Sequence, residues 1–226
     1  MKIVTVGWIR SGTSWILALL THYFEGPSVP AWTFLSRGVL KDFMHQHEMT
    51  LKMHDDWLQE GFRFVYAIRD PRDVAISSYF FHYNNTHLPK AQYTLLEYLQ
   101  DYFSVHRFTE EYAAGWRAHM EKWLAMPDTV YAQHEKLYYN REQELRRIVS
   151  ELGVTPEQDR LDFAIRESFT ATAWRPAYKD PNNYRNKARI APSGKPGEWK
   201  NHFGKAEIAF MKDYCGDLME ELGYEW

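Results

Sequence analysis

The segment from Gly7 to Ser14 reads Gly-x-x-x-x-Gly-Thr-Ser. This is the spacing of a phosphate-binding loop, with threonine where nucleotide-hydrolysing loops carry lysine. A glycine-rich turn before a helix presents backbone N–H groups and a positive helix end to an anion. The cation of this loop is Arg10, inside the turn. The stretch predicts a phosphate- or sulfate-binding site, and an ordinary glycine turn is the alternative.

A second anion site is indicated by Arg69 and by Ser77, eight residues later. Arg69 follows the apolar segment Phe62 to Ile68, which is typical of a central parallel strand, and open parallel sheets bind ligands at the carboxyl ends of their strands. A guanidinium group can bind a phosphate through two parallel hydrogen bonds. Ser77 would lie two turns along the following helix and add a hydroxyl donor. A structural ion pair is the alternative for Arg69.

Predicted strands and helices alternate along the chain and carry these residues. Strands are predicted over residues 2–6, 62–68 and 128–132, and a short strand over 49–53 that ends at His54. Helices are predicted over residues 16–23, 74–83, 95–126 (as two helices), 141–152, 156–167 and 205–222. The alternation predicts an α/β fold, a central parallel β-sheet flanked by helices. The stripe of Trp116, Met120 and Trp123 is expected in the core.

Bulk composition limits the classes of function. The chain has 226 residues, which fit a single domain over residues 1–226, and a net charge of −3, which gives no overall attraction to nucleic acid or to an anionic membrane. No apolar run is long enough to span a membrane, and no secretory leader is recognisable. Cys215 is the only cysteine, so no internal disulfide can form and a reducing, cytoplasmic location is expected.

Four stretches, in this order, resemble the sulfotransferases that use 3′-phosphoadenosine 5′-phosphosulfate (PAPS) as donor. Residues 8–15 are similar to the family's 5′-phosphosulfate loop, and residues 66–79 to its 3′-phosphate motif. Lys52-Met53-His54 matches the Lys-x-His that carries the catalytic base, and residues 194–203 resemble the late glycine-rich loop over the donor. The resemblance implies a short, cytosolic-type member, bacterial or viral in kind, with a phosphate-loop-like sulfotransferase fold.

The same resemblance implies a donor site, with 3′-phosphoadenosine 5′-phosphate (PAP) as the product and no metal, since side chains supply the cations. Trp15 offers a ring for adenine, and His134 stands where the family often has tyrosine. The residues implied to bind the donor are Arg10, Ser11, Gly12, Thr13, Ser14, Trp15, Arg69, Ser77, His134, Phe169, Gly194, Lys195 and Gly197.

The implied reaction is in-line transfer of the sulfuryl group to an acceptor hydroxyl or amine. His54 would take the acceptor's proton, because imidazole exchanges protons near neutral pH. Lys52 and Arg10 would stabilise charge on the sulfuryl group and on the leaving oxygen. The catalytic residues implied are therefore His54, Lys52 and Arg10, and the acceptor is a small molecule that the sequence does not identify.

The chain also departs from the family pattern. Arg10 replaces the loop lysine and keeps its charge without its compact point-donor geometry. Pro192-Ser193-Gly194 stands where the late loop normally begins Arg-Lys-Gly, so Arg189 or Lys187 is the substitute expected for the missing arginine. The family's C-terminal dimer segment is not recognisable in Gly204-Lys205-Ala206, which leaves the oligomeric state open.

The sequence is also compatible with two other classes of function. A phosphate-loop kinase or hydrolase fits the first turn, and Arg69-Asp70 imitates a strand end that binds Mg²⁺, but the loop lacks lysine and Lys-x-His has no role there. A binding module that kept the nucleotide site and lost transfer is the other alternative. Dependence on Mg²⁺ and formation of a sulfated product distinguish the three.

Overall fold

The computed structural model describes residues 1–25, 43–46, 51–83, 93–105, 115–170 and 194–226. The chain divides into two compact units, the first drawn from residues 1–68 and 126–177 and the second from residues 69–125 and 178–226. The single domain expected over residues 1–226 stays a prediction. In chain order, the described helices are α1 (Thr13–Glu25), α2 (Leu51–Gln59), α3 (Pro71–Tyr83), α4 (Leu95–Tyr98), α5 (Gly115–Leu124), α6 (His134–Tyr139), α7 (Arg141–Glu151), α8 (Gln158–Thr170) and α9 (Lys205–Glu221).

The first unit contains a parallel β-sheet. Its described strands are β1 (Lys2–Val6), β2 (Phe43–Gln46), β3 (Phe62–Ile68) and β4 (Thr129–Gln133), in the spatial order β2-β1-β3-β4. Every pairing is parallel, so all the strands end at the same edge of the sheet. The strands predicted over residues 2–6 and 62–68 are confirmed, and the third is confirmed one residue later than predicted.

Successive residues of a strand point to opposite faces of the sheet, and buried residues at successive positions of β1 and β3 show that both faces are covered. One face belongs to an apolar core with side chains from α1, α7 and α8; its buried strand residues include Ile3, Val65, Ala67 and Ala132. On the other face, Val4, Val6, Phe64 and Tyr66 are fully buried. The ring of His54, on α2, lies against Phe64 on this second face. The predicted α/β class, with a parallel sheet and flanking helices, is confirmed.

The strand predicted over residues 49–53 is wrong for its described part. Residues 51–59 form α2, and its more buried positions (Met53, His54, Trp57 and Leu58) recur with helical spacing. Lys52 and Asp56, one turn apart, form an ion pair of 2.6 Å that supports the helix. The alternation of Leu51, Lys52 and Met53 is too short to distinguish the two structures.

The second unit is helical in its described part. Pro71 begins α3, where a missing N–H costs nothing, and the Asp70 carboxylate caps the helix by accepting from the Arg72 N–H at 2.9 Å. Trp116 and Trp123 of α5 are fully buried, as predicted. Cys215 of α9 is also buried, and burial raises the pKa of its thiol to about 12. Among the described helices, none combines the length and the apolar character that crossing a membrane requires.

Candidate functional site

The turn between β1 and α1 has the geometry of an anion-binding loop. The Ser11 N–H donates to the Trp8 carbonyl at 3.0 Å, which closes the turn, and the Ile16 N–H donates to the Gly12 carbonyl at 3.1 Å, which starts the helix. Arg10 and Gly12 have positive φ values of 76° and 97°. The first N–H groups of a helix have no partner within that helix, so α1 directs those of its first turn out of its N-terminus.

Ser11 is the buried polar group of this turn. Its residue is 1% exposed, and its hydroxyl oxygen has no hydrogen-bond partner among the residues that the structure describes. Buried hydroxyls are normally hydrogen-bonded, so such a group points to a ligand or water. The helix N-terminus beside it provides the matching positive potential. The residues present therefore fit an anionic group such as a phosphate or sulfate.

Two glycines hold this turn close to its neighbours in the first unit. A Cβ on Gly7 would lie 2.9 Å from the Cβ of Ala67 on β3, which is closer than carbon atoms tolerate. A Cβ on Gly12 would lie 3.1 Å from Cδ2 of His134. Gly7 therefore leaves no room for a side chain, and a side chain at Gly12 would have to displace the His134 ring at an unfavourable φ. His134 directly follows β4, so the sheet places it at the same edge as the turn.

Trp15, His134 and Arg141 form an aromatic and cationic group beside the turn. The Trp15 and His134 rings meet edge to face, with centroids 5.4 Å apart. The guanidinium carbon of Arg141 lies 5.1 Å from the Trp15 ring centroid. Burial lowers the pKa of Arg141. Sequence reasoning selected Trp15 and His134 and missed Arg141, whose contact with Trp15 spans more than a hundred residues.

The predicted catalytic side chains Lys52 and His54 both lie on α2, in the first unit. His54 is fully buried, with its ring 4.4 Å from that of Phe64 between centroids and its Nδ1 3.4 Å from Oδ1 of Asp55. The Lys52 side chain is 81% exposed and bonds Asp56. An exposed pair of this kind is worth about 0–1 kcal/mol, so Lys52 can leave it at little cost.

Arg69 and Ser77 lie in the second unit, and both are buried, at 4% and 5% exposure. Arg69 directly follows the last residue of β3, and α3 carries Ser77 two turns further on. Between them, Asp70 binds the Arg72 side chain through both carboxylate oxygens, at 2.9 and 2.7 Å. In the described part of the chain, no cluster of His, Cys, Asp and Glu could hold a metal ion.

The late glycine-rich segment lies in the second unit as well. Gly194 and Gly197 have φ values of 80° and 82°, and a short 3₁₀ turn covers Glu198–Asn201. Lys195 is exposed, whereas Trp199 is buried. The backbone N–H groups of Gly197 and Trp199 both donate to the Asp73 carboxylate. Sequence reasoning missed the role of Asp73, although the residue lies inside the motif that it singled out.

The structure thus distributes the predicted site residues between its two units. The first unit holds the turn, Trp15, His134, Lys52 and His54, and the second holds Arg69, Ser77 and the segment around Gly197. The backbone of Phe169 is part of α8, but its side chain is not among the described parts of the structure. Lys187 and Arg189 lie entirely outside the described residues. The site assignments therefore stay predictions, supported by the geometry of each unit.

Comparisons with known proteins give the family of the chain. The profile of the Sulfotransferase domain matches residues 41–223. Sulfotransferase 2A1 of Homo sapiens is 23% identical over 257 residues, an alignment that covers 99% of this chain and 87% of the human protein.

Solved structures show the same fold at low sequence identity. Mouse sulfotransferase SULT7A1 complexed with PAP is similar with a TM-score of 0.70 and 16% identity, covering 98% of this chain and 86% of that one. Retinol dehydratase in complex with androsterone and PAP is similar with a TM-score of 0.65 and 16% identity. The match covers 100% of this chain and 82% of the retinol dehydratase chain. These likenesses show the fold, and the profile match over most of its length places the chain in the sulfotransferase domain family.

Proposed function

We propose that the chain transfers a sulfuryl group from PAPS to a hydroxyl or amine of a small-molecule acceptor, with PAP as the second product. The observation that carries the proposal is the turn from Gly7 to Ser14, where a buried Ser11 hydroxyl and the N-terminus of α1 would bind an anion. Family membership supports it, and so do the PAP complexes of proteins with the same fold.

Residues of several motifs would bind the donor, each at a different part of the molecule. The turn residues from Ser11 to Ser14 would bind the 5′-phosphosulfate through N–H and hydroxyl groups. Trp15 and His134 would bind the adenine ring. Arg69 and Ser77 would bind the 3′-phosphate, for which the planar fork of arginine is suited. Burial of Arg69 and Ser77 strengthens such bonds, since water competes less for them.

The chemistry asked of the protein is proton transfer and charge stabilisation. When bound, the donor supplies the sulfuryl group. His54 would accept the proton that the acceptor loses as its oxygen or nitrogen bonds to sulfur. Lys52 and Arg10 would stabilise the negative charge left on the phosphate oxygen whose bond to sulfur breaks. Metal is not needed in this scheme, because side-chain cations carry the charge.

An apolar alcohol is the acceptor class we favour for this site. Retinol dehydratase, which has the same fold, was solved in complexes with androsterone and with retinol. On α3 of this chain, Tyr79 and Phe80 form part of an aromatic group in the second unit. Rings of this kind suit a steroid- or lipid-like alcohol. A cytoplasmic location and the bacterial or viral origin stay predictions.

The test is calorimetric titration with PAP in the absence of Mg²⁺. We expect the wild-type chain to bind, and Arg69→Ala to bind about 10- to 100-fold more weakly, because two hydrogen bonds to a charged group are lost. Arg63→Ala is the matched control, since it removes an exposed arginine from the same strand region. An acceptor screen with labelled donor, run with steroid and aliphatic alcohols, then tests transfer itself.

Each alternative function has its own outcome in this experiment. Metal-free PAP binding without sulfated product from any acceptor would favour a binding module. Failure to bind PAP, together with binding of ATP only when Mg²⁺ is present, would overturn the proposal in favour of a kinase or hydrolase. Equal losses in Arg69→Ala and Arg63→Ala would remove Arg69 from the site.

A further inference from the structure

The Asp73 carboxylate binds the backbone of the late glycine-rich segment. Its Oδ2 accepts from the Gly197 N–H at 2.7 Å and its Oδ1 accepts from the Trp199 N–H at 2.8 Å. Asp73 is 1% exposed, and it is separated from these two residues by more than 120 positions. Charged acceptors make short, strong bonds to N–H donors, so both oxygens hold this segment in place.

The neighbouring side chain holds the same segment through its ring. The guanidinium carbon of Arg72 lies 4.0 Å from the Trp199 ring centroid and 4.9 Å from that of Trp226. Arg72 is itself fixed by the two bonds to Asp70. A guanidinium over a tryptophan face in a desolvated setting is a favourable contact. Trp199 is therefore held by its backbone from Asp73 and by its ring from Arg72.

Asp73 lies between the two residues that we assign to the 3′-phosphate. Arg69, Asp73 and Ser77 follow one another at intervals of four residues. Asp73 and Ser77 therefore share one face of α3, and Arg69 lies just before the start of the helix. Burial raises the pKa of Asp73, while the N–H groups of Trp199 and Gly197 and the charge of Arg69 act in the opposite direction.

We propose that Asp73 is a positioning residue for donor binding, which holds the segment around Gly197 and Lys195 beside the Arg69 and Ser77 phosphate site. The inference rests on the proposed function, because it assigns this segment to the donor. Gly197 makes the arrangement possible: its φ of 82° directs the chain into the 3₁₀ turn whose first N–H groups meet the carboxylate. Asp73 touches neither donor nor acceptor in this scheme and acts through the backbone of the segment.

Asp73→Asn tests the inference, because asparagine keeps the shape but turns one of the two acceptors into a donor. Amide hydrogen exchange on the free protein is measured for Gly197 and Trp199, followed by calorimetry with PAP. We expect both amides to lose protection and PAP affinity to fall about 10- to 100-fold. The matched control is Asp217→Asn, which breaks an aspartate–arginine pair to Arg117 in the same unit and leaves both readouts unchanged.

The outcomes separate this inference from the proposed function. Unchanged protection at Gly197 and Trp199 overturns it, and so does lost protection with unchanged PAP affinity. A wild-type chain that fails to bind PAP overturns the proposed function, and the inference with it. If Asp73→Asn does not fold, Asp73→Glu, which keeps the charge and moves it by one methylene, is measured in its place; wild-type protection and affinity there would count against the inference.

Discussion

The His54 ring stacks on the Phe64 ring, with centroids 4.4 Å apart and an angle of 30° between the planes. The contact joins α2 to the central strand β3 and keeps the imidazole fully buried. It fixes the ring of the proposed base, as a catalytic side chain requires. It also gives His54 a packing role, so a substitution there must be compared with one at Phe64.

His54→Ala should lower kcat for sulfuryl transfer by about 10²- to 10⁴-fold, the usual contribution of a general base. PAP affinity should not change, because the donor does not depend on the base. Kinetics with the best acceptor of the screen and calorimetry give the two readouts. Phe64→Leu is the control for packing: it removes the stacked ring and keeps the imidazole. An equal loss of kcat in both variants would leave His54 a structural residue only.

Arg10 combines charge with a backbone conformation that arginine adopts at a cost. Its φ of 76° implies strain of about 1–3 kcal/mol, which the turn imposes. Arg10→Gly should therefore leave the free energy of unfolding unchanged or raise it, while PAP affinity and kcat fall with the lost charge. Arg10→Lys should keep binding, since lysine stands there in the related loops.

Asp128→Gly is the matched control for Arg10→Gly. Asp128 is the other non-glycine residue with positive φ in the described part of the chain, at 53°, and it lies in the turn before β4. Urea unfolding should show an unchanged or raised free energy of unfolding for both, and calorimetry should show weaker PAP binding for Arg10→Gly alone. Wild-type PAP affinity in Arg10→Gly would show that Arg10 has no part in the donor site.

Gly12→Ala should destabilise the protein and weaken donor binding. The added Cβ would meet Cδ2 of His134 at 3.1 Å, at a φ of 97° that residues with side chains rarely adopt. Gly61→Ala, at a φ of 84° with open space around its Cβ, carries the backbone strain without the contact. The free energies of unfolding of the two variants, measured in urea, should differ by the cost of displacing His134. Equal values would mean that His134 moves aside freely.

The ion pair of Arg117 and Asp217 predicts a dependence of stability on pH. The hydrogen bonds to Arg117 lower the pKa of Asp217 to about 2. Because the folded-state pKa lies below the unfolded one, near 3.8, the stabilisation is fully present above pH 4 and is lost as the pH falls toward 2. The difference in unfolding free energy between wild type and Asp217→Asn should shrink over that range. A difference independent of pH would exclude this charge as its origin.

The sequence predicts best where local signals agree. The strand Phe62–Ile68 and the start of α3 at Pro71 follow from an apolar run and a proline at the first helical position. Strand β2 was not predicted, because its four residues include His45 and Gln46 and its place at the sheet edge needs no apolar run. The α2 helix was missed because the alternation of three residues was interpreted as a strand. The helical pattern of burial becomes visible only from the contacts of α2 with β3.

The candidate site was predictable as a set of motifs and not as a set of contacts. Ser11, Arg69 and Ser77 can be selected from motif spacing alone, and their burial agrees with binding roles. The bonds of Asp73 to Gly197 and Trp199 and the contact of Arg141 with Trp15 join distant parts of the chain. Local sequence patterns do not predict such contacts, because these depend on the tertiary structure.

The strand order β2-β1-β3-β4 also bears on how the protein is made. Of two paired strands, β1 leaves the ribosome well before β3, which begins only at Phe62. At a synthesis rate of about 5–20 residues per second, β1 waits roughly 3–12 seconds for that partner, with apolar residues such as Ile3 and Val4 uncovered. During this time the apolar residues of β1 in the nascent chain are exposed and can be bound by chaperones.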